Sequence, residues 1–161
     1  MMSWDVRPAT TAEIDRIAQV WFDGWHEAHA HLVPADLTRI RTLESFAERL
    51  HPMLPDIRVI GAAGAPVGFC ALKDDELYQM FVSREARGSG AAAALMADAE
   101  ARLKASGVAT AWLACAIGND RAARFYEKSG WRRAATVVYH AETPMGVLPL
   151  EVWRYEKSLL G

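Results

Sequence analysis

The sequence contains 161 residues, of which 52% are hydrophobic and 24% charged, and its formal net charge at pH 7 is −2. A chain of this size can bury a sizeable core, so residues 1–161 are interpreted as a single domain. The nearly balanced charge excludes the basic surface that binding to nucleic acid requires, and no block of like charges indicates a membrane-surface patch.

The N-terminus and the cysteines bear on where the protein works. The first residues lack the apolar core of a signal peptide, and no apolar run is long enough to span a bilayer. Cys70 and Cys115 both lie in apolar runs, which favours small buried residues over a disulfide or a nucleophile. We therefore expect a cytoplasmic protein that binds neither nucleic acid nor a membrane.

Hydrophobic periodicity predicts strands and helices along the whole chain. Residues 4–7 form a short strand, and Thr10 and Glu13 form a capping box at the start of the first helix. Pro34 interrupts the pattern that follows. Later helices are expected at residues 42–50, 91–106 and 121–129, and later strands at residues 57–62, 67–72, 76–82, 109–116, 131–140 and 150–155. The order β-α-α-β-β-β-α-β-α-β-β is that of an α/β domain with a mixed sheet flanked by helices.

A glycine turn, Arg87-Gly88-Ser89-Gly90, joins the strand at residues 76–82 to an alanine-rich helix. The first amides of a helix have no intrahelical partner, and the helix dipole adds positive charge there, so such a turn can bind an anion. The turn is neither a P-loop, since Lys-Ser/Thr is missing after the glycines, nor a dinucleotide fingerprint, since the third glycine is absent. A plain strand-to-helix turn remains the structural alternative.

A second motif runs from Asn119 to Trp131. Asn119 is a suitable N-cap, because its side chain can accept a hydrogen bond from the amide of Ala122. Phe125 is most simply a core residue, and Gly130 ends the helix.

In this order and at this spacing, the two motifs resemble the acetyl-CoA-binding core of the GNAT N-acetyltransferase superfamily. The resemblance covers most of the chain and implies a GNAT-like fold, with acetyl-CoA as co-substrate. It also implies transfer of the acetyl group to a primary amine of a small molecule or peptide, by direct attack in a ternary complex. A non-catalytic module that binds CoA or acyl-CoA and regulates is the alternative. Contacts to the co-substrate are implied for Met80, Phe81, Val82, Arg87, Gly88, Ser89, Gly90, Ala91, Ala92, Asn119, Ala122, Phe125 and Tyr126.

The same resemblance implies two catalytic residues. Tyr126 would be the general acid that protonates the departing thiolate, although an amphipathic tyrosine at the surface is the alternative. Glu76 would be the base that takes the amine proton, although next to Asp74 and Asp75 it could equally be a solvated turn residue. A period of two places Glu76, Tyr78, Met80 and Val82 on one face of their strand.

The acceptor pocket, by the same resemblance, is built from the first two helices and the last strands. Candidate substrate contacts are Trp25, His26, Glu76 and Tyr78. Trp25 also fits the apolar stripe of the first helix, and core packing is the alternative for it. A homodimer is possible, as in other members of the family, but the sequence indicates no interface.

Three histidines, His26, His29 and His31, suggest a metal site that their spacing does not support. The zinc-protease motif His-Glu-x-x-His requires a second histidine at position 30, which is Ala30. No third ligand follows at a suitable spacing, so we expect no metal.

Overall fold

The computed structural model describes residues 4–160, which form one mixed sheet with helices on both faces. The strands are β1 (Val6–Pro8), β2 (Ile57–Ala62), β3 (Ala65–Lys73), β4 (Glu76–Val82), β5 (Thr110–Ala116), β6 (Arg132–Thr143) and β7 (Gly146–Ser158). The helices are α1 (Ile14–His29), α2 (Ala35–Ile40), α3 (Leu43–Met53), α4 (Ala91–Ala105) and α5 (Asp120–Lys128). The strand order is β1-β2-β3-β4-β5-β7-β6, and β4 and β5 are the parallel neighbours in it. The predicted α/β class with a mixed sheet is confirmed.

Each face of the sheet carries its own hydrophobic cluster. The α1 cluster packs α1 and α3 on the sheet around the fully buried Trp21 and Phe46. The α4 cluster packs α4 and α5 on the other face, around residues such as Leu95. Adjacent residues of β3 divide between the two, since Phe69 belongs to the α1 cluster and Cys70 to the α4 cluster, as strand alternation requires. Cys70 and Cys115 are both buried free thiols, as the sequence predicted.

The start of the first helix is anchored by Glu13, which is only 1% exposed. Its carboxylate accepts from Arg7 at 3.0 and 2.7 Å, from the Thr10 amide at 3.1 Å and from the Gly64 amide at 3.0 Å. The hydrogen bonds from Arg7 are the main reason that the pKa of Glu13 falls to about 2. The contact of Glu13 with Thr10 was predicted from the sequence. The same carboxylate also links the start of α1 to β1 through Arg7 and to the β2–β3 turn through Gly64.

Helix α2 was not predicted from the sequence. The amides of Leu37 and Thr38 bond to the carbonyl of Pro34, so this proline starts a helix instead of only interrupting one. The helix has six residues, which is too short for a hydrophobic period to be recognised. Among the described residues, no helix is long and apolar enough to cross a membrane.

The last two strands are longer than predicted and form one hairpin. The predicted strands stopped at His140 and began at Leu150, and a proline such as Pro149 is normally excluded from a strand interior. At Pro149, however, β7 pairs with β6 on one side, and its pairing with β5 begins only at Val152. The edge of β7 that faces β5 is therefore unpaired at Pro149, and the missing N–H of the proline removes no hydrogen bond to β5.

Strand β4 contains a bulge that changes which residues share a face. Ala71 of β3 pairs with Gln79 and the next residue, Leu72, pairs with Leu77, so Tyr78 is an extra residue of β4 without a partner in β3. As a result Tyr78 and Phe81 pack with the α1 cluster, whereas Leu77 and Met80 pack with the α4 cluster. The prediction of strict alternation was therefore wrong for the set Glu76, Tyr78, Met80 and Val82.

Candidate active site

A cavity of about 670 Å³ opens where β4 and β5 separate. Within residues 4–160 the two strands pair only at Glu76 and Trp112, with one bond from the Trp112 amide to the Asp75 carbonyl at 3.2 Å. Beyond that point both strands line the cavity, so the edge of β4 from Gln79 to Val82 faces it without a partner on the β5 side. An open strand edge offers backbone donors and acceptors to a ligand that lies along it.

Most of the predicted site residues line this one cavity. They are Trp25, Glu76, Tyr78, Met80, Phe81, Val82, Arg87, Gly88, Gly90, Ala91, Ala92, Asn119, Ala122, Phe125 and Tyr126. The structure thus brings together residues from α1, β4, the glycine turn, α4 and α5. Asn119 also caps α5 as predicted, since its side-chain oxygen accepts from the Ala122 amide at 3.4 Å.

Two predicted site residues, His26 and Ser89, do not line the cavity. The Nε2 of His26 donates to the Arg41 carbonyl at 2.7 Å, which directs the ring toward the segment after α2. The Ser89 hydroxyl donates to the Ala86 carbonyl, and the Ser89 carbonyl accepts from the Trp4 indole at 3.0 Å. Ser89 therefore stabilises the turn through these hydrogen bonds, and His26 contacts Arg41, which lines the cavity.

The N-terminus of α4 opens into the cavity. Gly88 and Gly90 have φ values of 76° and 89°, a conformation that L side chains adopt only with strain. The first bond of the helix runs from the Ala94 amide to the Gly90 carbonyl at 3.0 Å, so the amides of Ala92 and Ala93 have no intrahelical acceptor. These donors, together with the helix dipole, form a site for an anionic group.

Three arginines surround one carboxylate beside this helix start. Arg87 donates to Glu27 at 2.9 and 2.7 Å, and Arg84 and Arg121 lie 3.1 and 3.6 Å from the same carboxylate. Hydrogen bonds from Arg87, followed by the charge of Arg87 and the hydrogen bond from Arg84, lower the pKa of Glu27 to about 2. Three cations and one anion leave positive charge at the cavity mouth, but Arg87 must exchange Glu27 for a phosphate in order to bind one. The sequence carried no signal for Glu27, because it lies 60 residues from Arg87.

Tyr126 stands in the cavity wall on α5 and packs against the α4 cluster. No residue in the described part of the chain hydrogen-bonds its hydroxyl. Burial raises the pKa of Tyr126 above its ordinary value, so the group keeps its proton at neutral pH. Cys115 also lines the cavity, and burial raises the pKa of its thiol to about 12, which leaves it a poor nucleophile.

Glu76 lies at the first position of β4, where the strands begin to separate, and is 7% exposed. Burial raises its pKa to about 7, against the opposing effects of Lys73 and of a hydrogen bond from Tyr139. The Tyr139 hydroxyl lies 3.5 Å from the carboxylate. A glutamate with this pKa is partly ionised at neutral pH and is suited to accept a proton there.

The histidines are not assembled as a metal centre. The Nδ1 of His29 donates to the Trp25 carbonyl at 3.1 Å, and burial lowers the pKa of His29 to about 4, so the ring is neutral. Between residues 4 and 160, no three His, Cys, Asp or Glu side chains are grouped so that they could hold a metal ion.

Solved acetyltransferase structures share this fold, and two of them contain coenzyme A or acetyl-CoA. A GCN5-related N-acetyltransferase from Rhodopseudomonas palustris matches at 20% identity and TM-score 0.76, covering 98% of this chain and 97% of that one. The PaiA N-acetyltransferase of Thermoplasma acidophilum, solved with coenzyme A, matches at 18% identity and TM-score 0.66, with 98% and 99% covered. The putative acetyltransferase YncA of Salmonella typhimurium, solved with acetyl-CoA, matches at 14% identity and TM-score 0.67, with 99% and 96% covered.

The sequence itself matches the model of the Acetyltransferase (GNAT) family over residues 13–131. The chain therefore belongs to the GNAT acetyltransferase family, and it is a GNAT-type N-acetyltransferase that uses acetyl-CoA. No protein with a curated description matches it.

Proposed function

We propose that this protein transfers the acetyl group of acetyl-CoA to the primary amine of a small molecule or peptide, by direct attack within a ternary complex. One observation carries the proposal. A single cavity joins an anion-binding helix start, an open strand edge, a protonated tyrosine and a buried glutamate with a pKa of about 7. These groups are suited to bind a CoA thioester and to assist its aminolysis.

The co-substrate would extend from the glycine turn to the opening between β4 and β5. The amides of Ala92 and Ala93 would hold the diphosphate, with Arg87 in support once it leaves Glu27. The open edge around Phe81 and Val82 would bond to the amide-rich pantetheine arm, and Asn119 and Phe125 would form the facing wall. In this arrangement the acetyl thioester would lie between Tyr126 and Glu76.

In the reaction, the amine nitrogen forms a bond to the thioester carbonyl carbon and the C–S bond breaks. The amine proton passes to Glu76, directly or through a water molecule. The sulfur leaves with its bonding pair and takes the proton of Tyr126. Backbone N–H groups on β4 would polarise the carbonyl oxygen, and holding the two substrates together supplies a further large part of the acceleration.

The alternative is a regulatory module that binds CoA or acyl-CoA without turnover. Such a module needs the helix start and the strand edge, but neither a tyrosine hydroxyl without a partner nor a glutamate with a raised pKa in the same cavity. These two groups favour the enzyme. The homodimer and the cytoplasmic location remain predictions.

The proposal is tested by thiol release from acetyl-CoA with a panel of amino acids, polyamines, aminoglycosides and peptides with free N-termini. Turnover with one class would establish the activity and identify the acceptor type. A rise in melting temperature with acetyl-CoA, but no turnover with any amine, would favour the regulatory module. A melting temperature that does not respond to acetyl-CoA would contradict both.

Replacement of Gly90 by leucine is expected to weaken CoA binding about tenfold or more, because the side chain would fill the space at the helix start. Gly107 supplies a matched control. Both glycines have φ near +88°, and a Cβ at either would meet nothing within 4 Å, but only Gly90 lines the cavity. The variants Gly90→Leu and Gly107→Leu should lose similar stability, and calorimetric titration with CoA should separate them. Equal CoA affinity in the two variants would contradict the assignment of this turn.

A further inference from the structure

Part of the cavity wall, formed by Arg41 and Arg49, carries positive charge that no carboxylate of the described residues pairs with. Arg41, which directly follows α2, lines the cavity although it is only 4% exposed. It donates one hydrogen bond, to the Glu142 carbonyl at 2.9 Å. No carboxylate oxygen in the described part of the chain lies within 4.0 Å of it. A buried guanidinium without a counter-ion is costly, and in folded proteins such groups are normally paired.

Arg49 on α3 lines the same cavity and also lacks a carboxylate partner among the described residues. Its guanidinium stacks on the Trp21 ring, with 4.4 Å between the guanidinium carbon and the ring centroid. One nitrogen donates to the Tyr78 hydroxyl at 3.0 Å. Stacking fixes the plane of the group, and its remaining N–H donors are left for a ligand.

The two guanidiniums repel each other. Burial is the main cause that lowers the pKa of Arg41 to about 10, and the charge of Arg49 is the next. Lys73, a third cation of the cavity wall, lies over the Tyr78 ring at 5.5 Å. A negatively charged ligand would relieve this repulsion and satisfy the free donors.

Among residues 4–160, Glu76 and Glu142 are the acidic residues that also line the cavity, and neither forms an ion pair with the arginines. Glu76 is engaged by Tyr139 and retains part of its proton at neutral pH. Glu142 offers Arg41 its backbone carbonyl, while the residue itself is exposed. These carboxylates disfavour a dianionic phosphate and are compatible with a ligand of single negative charge.

We propose that the acceptor is a small amine that carries a carboxylate, such as a free amino acid, with the carboxylate bound by Arg41 and Arg49. The inference rests on the proposed function, because it concerns the acceptor of that reaction. One hydrogen bond places Arg49 beside the strand that carries the base, and another joins Glu76 to a tyrosine of the same cavity wall. Arg49 bonds to the Tyr78 hydroxyl, two residues along β4 from Glu76, and Tyr139 bonds to Glu76 itself. With its carboxylate held by the arginines, the acceptor directs its amine toward Glu76 and the opening between the strands.

The test compares matched acceptors in the thiol-release assay: free L-amino acids, their C-terminal amides, and the corresponding amines without a carboxyl group. Charge-assisted hydrogen bonds to one guanidinium predict a kcat/KM that is about 10- to 100-fold higher for the acid than for its amide. In Arg49→Met this ratio should fall toward one, because only the acid loses a charge-assisted hydrogen bond. Arg39→Met is the control, since Arg39 lies on the exposed side of α2 and pairs with Asp36, and it should keep the wild-type ratio.

Arg41→Met is expected to lower the stability of the protein in addition to weakening binding of the acid. For this variant the decisive measurement is therefore the ratio of kcat/KM for the acid to kcat/KM for the amide, and not the activity with either acceptor alone. Damage to the fold lowers both rates together, whereas loss of a carboxylate contact lowers one. Equal rates with acids and amides in the wild type would overturn the carboxylate assignment and leave the acetyltransferase activity standing. A preference for amines that carry a phosphate would overturn it too. Silence with every amine would instead contradict the proposed function itself.

Discussion

Tyr126→Phe is expected to lower kcat by about 100-fold or more while the affinity for CoA stays nearly unchanged. The substitution removes only the hydroxyl, which is the one group of this side chain that can give a proton to the departing sulfur. The ring remains in the wall and keeps its packing on the α4 cluster, so binding of CoA is preserved. Steady-state kinetics with acetyl-CoA and calorimetric titration with CoA measure the two quantities.

Tyr155→Phe is the matched control for this experiment. Tyr155 is fully buried and bonds through its hydroxyl to Glu127 and Arg133, but it does not line the cavity. Its variant should lose stability and keep its kcat. If Tyr126→Phe lost affinity and turnover to the same extent, Tyr126 would be a structural residue of the cavity wall.

Glu76→Gln is expected to lower kcat/KM by about 100- to 10,000-fold, because the amide cannot accept the amine proton. In the wild type, kcat/KM should show a first rise with pH around pH 7, where Glu76 becomes ionised. Loss of a proton from the amine substrate, which makes it nucleophilic, adds a second rise in kcat/KM, the amine limb of the pH profile, at higher pH. The Glu76 limb should be absent from the variant, whereas the amine limb should remain in both.

The same carboxyl group predicts an effect on stability whose sign is opposite to that of an ordinary surface glutamate. Its pKa rises from 4.5 to about 7 on folding, so the folded state holds the proton more tightly. The contribution of Glu76 to stability is therefore complete below about pH 4.5 and is lost as the pH rises through 7. A rise of this size corresponds to about 3 kcal/mol in the free energy of unfolding.

Urea unfolding of the wild type and Glu76→Gln at pH 5 and pH 8 measures this effect. The variant does not titrate, so it should gain stability relative to the wild type between these two pH values. Glu44→Gln, at an exposed position, should show no such gain. A constant difference between the wild type and Glu76→Gln would show that Glu76 has an ordinary pKa and is already ionised at pH 5.

Short-range features of the site could be predicted from the sequence. The reach of Glu13 to Thr10, the cap that Asn119 forms on Ala122, and the glycine turn before α4 are each set by residues a few positions apart. Their geometry depends on local dihedral angles and on the next turn of the chain, so the order of residues determines it. The same holds for the strands and helices whose hydrophobic period extends over several residues.

The charge of the cavity wall around Arg41 and Arg49 was decided only by the tertiary structure. Arg49 lies on a predicted helix, where an arginine normally faces solvent, and Arg41 follows a helix that periodicity could not detect. Their importance comes from their meeting in one cavity without a carboxylate partner among the described residues. The bulge at Tyr78 also escaped prediction, because it arises from the register between β3 and β4 and not from β4 itself.

The sequence by itself therefore predicted the fold class and a glycine turn suited to an anion, and its resemblance to the GNAT superfamily implied the candidate pair of Tyr126 and Glu76. The tertiary structure decided the electrostatic state of those groups and the charge of the pocket around them. The pKa of Glu76 depends on burial and on Tyr139, and Arg87 is held by Glu27 across 60 residues. Burial and charge pairing depend on contacts between segments that are distant in the sequence, and these contacts form only when the chain folds.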